Sequence, residues 1–340
     1  MKKIQSGMVR GHLLMLTAAT MWGMMAPLGK DAMAHGISGF CMVALRVTGA
    51  ALLFWLAGVV SRLLAEEKEG DVVVQPAHSG AVWKRYKELL WLLGAGLFAI
   101  VFNQCNYIIG LSITSPLNAS IMTTTMPIVT MVLSALILRE KVTSRKVVGL
   151  ILGCMGALVI ILSSAGGARE GGVLLGDLMC ICAQVSYAFY LTRFKAVIGR
   201  HTAITCQKWM MLFASLIVLP LALPSLMAVE WQQLTMKTYL ETAFVVVGGT
   251  FFSFLCCTTA QRILSPTVIA MYNYVQPIVA CTLSVLLGLG IFGWSHIAAI
   301  GLVFTGVYLV TKTPQPPSGG VERAKQKASP TTPEGLGGVR

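Results

Sequence analysis

Two prolines frame the first set of residues that could do chemistry. Pro127 follows Thr123-Thr124-Thr125, and Pro277 follows Tyr272-Asn273-Tyr274 and Gln276, each inside a long apolar run. A proline within a helix removes one donor and frees the carbonyl four residues earlier, here those of Thr123 and Asn273. Hydroxyls, amides and freed carbonyls at one depth can exchange hydrogen bonds with a polar solute. Thr123, Thr124, Tyr272, Asn273 and Gln276 are therefore candidate substrate-lining residues, with Pro127 and Pro277 as the helix breakers. A simple kink, with threonines bonded to their own backbone, is the bland reading. Asn103, Gln104, Asn106 and Tyr107 form a second cluster. Amides in hydrocarbon must meet another helix or a cavity, so Asn103 and Asn106 join the candidates. Trp22 and Tyr187 suit a cavity wall and would serve equally as packing. Arg46 is the cation deepest in an apolar run; it needs water, a route to the surface, or an anionic substrate group. Lys208 lies nearer the end of its run and can snorkel.

Other chemistries find little support. Asp31, Glu88, Glu140, Asp177 and Glu241 fall at helix ends, so no midplane carboxylate is available for proton coupling, and Asp31 and Glu241 remain as the alternatives. The nine cysteines contain no C-x-x-C pair and the five histidines no ligand spacing, so neither metal nor cofactor is expected. There is no phosphate-binding P-loop. A membrane enzyme acting on a lipid-linked substrate is the rival class. Its metal or base would have to come from the Glu66-to-Asp71 run, which reads as a solvated charge cluster.

Positioning these residues requires membrane helices. Of 340 residues, 56% are apolar and 11% charged, with a mean hydropathy of +0.75. A soluble domain carries about 25% charge, so soluble enzymes are excluded. The net charge of +13 could indicate nucleic acid, but the basic residues sit in short loops between apolar runs. Ten spans are expected, near 12–33, 38–61, 88–111, 115–138, 145–163, 173–193, 203–224, 239–260, 265–288 and 293–312. Lys2-Lys3 resembles a signal-peptide start, but the run after it is too long, and a retained first helix is expected. A polar loop covers 62–87, and the Pro/Gly/Lys-rich tail 313–340 is expected to be disordered and cytoplasmic. The N-terminus, the loops after even-numbered spans and the tail hold 21 of the 26 Lys and Arg residues, against Arg169 and Lys237 on the other side. Both termini should face the cytoplasm.

The chain also repeats itself. Ser115-Pro116 through Pro127-Ile128-Val129 recurs 150 residues later as Ser265-Pro266 through Pro277-Ile278-Val279, and Gly156 as Gly306. In the earlier part the offset is 165, pairing Gly11-His12-Leu13 with Gly176-Asp177-Leu178 and Trp22 with Tyr187. Five helices per copy force the second copy to cross the bilayer in the opposite sense, the plan by which secondary transporters alternate access to a midplane site. The expected fold is all-α integral membrane: two inverted five-helix repeats, 11–163 and 173–312. The basic loop Arg139-to-Lys146 has an uncharged counterpart, Leu289-to-Trp294, as a change of side requires.

Met21-Trp22-Gly23 with Lys30, Arg46, Ser115-Pro116 with Pro127, Glu140, and Gly176-Asp177-Leu178 with Tyr187 resemble the EamA-type branch of the drug/metabolite transporter superfamily. The resemblance covers residues 11 to 312 and implies a ten-helix inner-membrane exporter of amino acids, metabolites or drugs. Its partners would be a small-molecule substrate and the lipid bilayer, with the coupling ion left open. One departure is Gly290, which stands where the second copy usually carries a glutamate like Glu140.

Overall fold

With no water available inside hydrocarbon, a backbone satisfies its polar groups most simply by coiling, and all the regular structure described is helical. The computed structural model describes residues 2–66, 79–113, 122–164, 174–286 and 294–312. The helices are α1 (Lys2–Ala34), α2 (Gly39–Glu66), α3 (Ser79–Gly96), α4 (Asn103–Ile113), α5 (Met126–Leu138), α6 (Ser144–Ser164) and α7 (Leu174–Arg193). They continue as α8 (Lys195–Arg200), α9 (Ala203–Met227), α10 (Met236–Val246), α11 (Ser253–Gln261), α12 (Pro266–Met271), α13 (Val275–Leu286) and α14 (Trp294–Thr311). Five stretches are long and apolar enough to cross a membrane: Gly39–Leu64, Tyr86–Gly110, Leu174–Arg193, Ala203–Met227 and Met236–Gln261. Met126–Leu138 and Ile297–Thr311 are shorter apolar helices.

The ends differ from the sequence expectation: α1 begins at Lys2, ten residues before the expected start of the first span near 12. The 62–87 stretch is helical at both margins, because α2 runs on to Glu66 and α3 begins at Ser79. Leu, Ala, Glu and Lys there are good helix formers, which hydropathy alone does not register. The tail after 312 and the Ser115-Pro116 pair lie outside the described residues. Helix starts carry ordinary caps: Thr202 Oγ1 accepts from the Thr205 N–H, and Thr235 Oγ1 from the Thr238 N–H, each at 3.2 Å.

Two rods contain a π-helical turn. Leu97–Phe102 joins α3 to α4, and Val247–Phe252 joins α10 to α11, at positions 150 residues apart. A π turn adds one residue to the coil, loosens the carbonyl ladder and turns the following face. Side chains take up the loosened acceptors: Ser186 Oγ donates to Phe98 O at 2.7 Å, Thr250 Oγ1 to Val245 O at 2.8 Å, and Ser253 Oγ to Gly249 O at 2.6 Å.

Packing relies on small residues, as it does where apolar side chains gain nothing by leaving lipid. α2 lies against α9, with Thr48 Oγ1 and Ser215 Oγ 3.0 Å apart. α1 packs on α10, α11 and α13, while α7 packs on α4 and α5. The tightest seam joins α6 to α14. A Cβ added to Gly149 would stand 2.6 Å from the Gly306 carbonyl, and one on Gly156 would stand 2.8 Å from that of Ala299. Ala299 and Gly306 are the residues 150 positions after Gly149 and Gly156. The contact is therefore reciprocal.

Candidate functional site

A recess between α2, α9 and the two π-bearing rods is lined by Arg46, Val47, Ile100, Gln104, Met211, Thr250 and Phe254. Arg46 is the eighth residue of α2, and its Nε donates to Thr250 Oγ1 at 3.2 Å. The π turn aims that hydroxyl, since Thr250 is anchored five residues back on Val245 O. Gln104 Nε2 donates to Asn103 Oδ1 at 3.1 Å, and Asn103 Nδ2 to Ala183 O at 2.8 Å, which fastens α4 to α7. The cavity volume is about 10 Å³, room for no more than about one water.

The proline regions meet at a second point. Tyr274 Oη donates to Thr124 O at 3.2 Å, and the Cys154 thiol lies 3.9 Å from Thr124 Oγ1. Asn273 Nδ2 donates to Met126 Sδ, and Gln276 Nε2 to Asn273 Oδ1 at 2.8 Å. Tyr272 Oη pairs with His12 Nδ1 at 3.0 Å. The regular coil is broken just before each proline, on the side where its missing donor falls. Pro127 opens α5 after a turn at Thr124–Thr125, and Pro277 is the third residue of α13, after a 3-10 turn at Tyr272–Tyr274. In the first turn of a helix a missing N–H costs little. The acceptor used at the crossing is the Thr124 carbonyl, one residue after Thr123.

The remaining candidates are dispersed. Trp22 stands edge-on to Phe254, ring centroids 5.6 Å apart, so it backs the recess wall. Tyr187 packs on Tyr190, and its hydroxyl lies 3.8 Å from Cys257 Sγ. Asn106 Nδ2 donates to Phe102 O of its own rod. Lys208 does not snorkel: it is 7% exposed, with Nζ 4.9 Å and 5.7 Å from the Trp55 and Trp209 rings, a cation–π setting that replaces water. Thr250, Met211 and Phe254 are absent from the sequence-derived set. The repeat offsets could have found two of them, because 150 added to Gln104 gives Phe254 and 165 added to Arg46 gives Met211.

Ionic clusters tie the helices at both ends of the bundle. Lys237 Nζ lies 2.8 Å from Asp31 Oδ2 and 3.7 Å from Glu241 Oε1, joining α1 to α10. At the other end Lys146 Nζ bonds Glu140 Oε1 at 2.6 Å, and Glu140 Oε2 accepts from Thr267 Oγ1 at 3.1 Å. Lys195 Nζ donates to Leu264 O beside that pair; burial draws its ammonium down to about 8, opposed by the Glu140 charge.

This geometry is that of a polar-lined membrane bundle, and comparison with known proteins is decisive. The sequence model of the EamA-like transporter family matches the chain twice, over residues 9–162 and 174–312. The chain belongs to this family. It is a multi-pass membrane protein. Relatives include the uncharacterized transporter YetK of Bacillus subtilis (strain 168), 25% identical over 64% of this chain and 66% of its own length. An uncharacterized transporter of Archaeoglobus fulgidus is 24% identical over 67% of this chain and 79% of its own length. The chain thus spans just under two thirds of YetK. One solved crystal structure of a protein superposes with a TM-score of 0.67, covering 96% of this chain and 99% of that one at 17% identity, a likeness of fold alone.

Proposed function

We propose that this EamA-like protein is an inner-membrane secondary transporter that exports a small metabolite, such as an amino acid or drug-like compound, by alternating access. Ten spans in two five-helix copies of opposite orientation, with cytoplasmic termini, are the architecture of this reading. The observation that carries it is reciprocity. Gly149 meets Gly306 while Gly156 meets Ala299, so each residue touches the repeat-equivalent of the other's partner. Such exchange is the signature of a two-fold relation between like surfaces, and two copies of odd helix number related in this way are antiparallel. Double matching by the family model supports the same division.

Function follows from that symmetry. A scaffold of two similar halves can lean either way about a central site at little cost in energy. The recess holds too little space for a metabolite, and ionic ties hold both ends of the bundle, so loading the site requires α1 and α10, or α5 and α12, to part. Asn103, Gln104, Arg46 and Thr250 would then line the opened path, with Thr123, Thr124, Tyr272, Asn273 and Gln276 at the crossing. The test compares metabolites in the medium of cells with and without the protein by mass spectrometry, followed by flux of the accumulated compound from proteoliposomes. Enrichment outside expressing cells is expected. An unchanged medium, together with no flux of any solute in proteoliposomes, overturns the reading.

A further inference from the structure

We propose that the recess selects its substrate by charge, and that the transported solute is a small organic monoanion with an apolar body and no free ammonium group. This narrows the transport reading above and rests on it. The anionic group would be held by Arg46, with Gln104 and Thr250 beside it, and the apolar body would lie against Met211 and Phe254.

Arg46 carries the argument. Its guanidinium offers five N–H donors, and among the described residues only Nε is used, on Thr250. Among the same residues no Asp or Glu lies within ion-pair distance of it. An arginine eight residues into an apolar helix is costly without an anion, and Arg46 is one of the residues that line the recess. Among the described residues, then, Arg46 is a cation without an acidic partner.

The opposite wall supplies the second half of the specificity. Residues around the recess pair off at the repeat offsets: Arg46 with Met211, Ile100 with Thr250, Gln104 with Phe254. The recess therefore straddles the relation between the copies, yet its chemistry is one-sided. Each pair contributes one polar and one apolar member, and the Nε–Thr250 bond draws two of the polar three together. Once the recess opens, such a lining would suit a molecule with one charged end and one apolar end. Trp22, edge-on to Phe254, extends the aromatic side. Among the described residues no carboxylate lines the recess to receive an ammonium, so a zwitterion would bury its positive group unpaired beside a guanidinium. A dianion would leave its second charge unmatched.

The experiment uses the detergent-purified full chain and four probes on one frame: phenylacetate (anion), phenylacetamide (neutral), phenethylamine (cation) and phenylalanine (zwitterion). Binding is read by calorimetry, with tryptophan fluorescence as a check because Trp22 backs the site. Phenylacetate should bind about 10- to 100-fold more tightly than the other three, the worth of a charge-assisted hydrogen-bonded pair. Arg46→Gln should erase that preference, and Arg46→Lys should keep part of it. Phe254→Ala should weaken every probe that binds by a similar factor. If Arg46→Gln does not fold, the ranking on the unmodified protein and the Phe254→Ala variant still decide. Equal binding of the four, tightest binding of phenylalanine or phenethylamine, no binding of phenylacetate, or an unchanged ranking in Arg46→Gln overturns the inference. The two readings fail separately. Anion preference without transport in cells or proteoliposomes removes the transporter mechanism and leaves the site. An exported solute that is cationic or zwitterionic removes the anion assignment and leaves transport standing.

Discussion

Lys146→Met tests the tie between α5, α6 and α12. The Lys146 and Glu140 side chains are 3% and 4% exposed, their charged atoms are 2.6 Å apart, and Thr267 holds the second carboxylate oxygen. Removing the ammonium leaves a carboxylate in a site almost without water, and breaking a buried pair from one side costs about 3–5 kcal/mol. Glu140 keeps its bond from Thr267 Oγ1, so the lower end, about 3 kcal/mol, is expected; that is roughly a hundredfold in the unfolding equilibrium. The double variant Glu140→Gln/Lys146→Met removes both charges. Its amide can still accept from Thr267, so stability should return to within about 1–2 kcal/mol of the parent, because no isolated buried charge remains. Unfolding of the purified protein in mixed micelles, followed by circular dichroism for all four corners of the cycle, gives the coupling energy directly. A Lys146→Met loss below about 1 kcal/mol would mean that the pair is solvated like a surface bridge. A double variant as unstable as the sum of the singles would refute the coupling altogether.

Three further outcomes follow. Arg139 ends α5 with a φ of 54°, so Arg139→Gly should raise stability by about 0.5–1 kcal/mol by relieving left-handed strain, measured in the same micelle assay; a loss would show that the arginine side chain matters more than its backbone. The Lys195 amine should titrate near 8, neutral at lower pH than an ordinary lysine because burial disfavours its charge, and lower still in Glu140→Gln, which removes its attractive neighbour. Amine labelling against pH with mass-spectrometric readout checks both, and an ordinary lysine profile refutes them. Asn273→Ala should reduce flux in proteoliposomes more than it reduces the folded yield, since Asn273 links Gln276 to Met126 across the crossing; equal losses would make that link purely structural.

The helices were legible because apolar runs of this length have few alternatives. The π turns were not. Val247–Phe252 reads as ordinary apolar helix, and one extra residue in a coil leaves no mark on hydropathy. Their consequence, the aiming of Thr250 at Arg46, was hidden with them. Arg46 itself stood out because a charge in hydrocarbon is rare, whereas Phe254 and Met211 look like any other lining residue until paired with Gln104 and Arg46. Pro127 marked the break that precedes it, and Tyr274 takes the neighbouring Thr124 carbonyl. Lys208 was misjudged because distance from a helix end ignores aromatic neighbours that can stand in for water.

The glycine seam between α6 and α14 constrains this lineage in one direction only. Contacts made by side chains can drift, as a larger residue on one helix is answered by a smaller one on the other. Gly149 and Gly306 meet backbone to backbone, where each position already holds the smallest residue there is. No substitution at one can be compensated at the other, so any added carbon separates the two helices along their whole contact. Under the proposed site, change in substrate preference would come from the recess walls around Arg46 and Met211, while this joint stays fixed in composition.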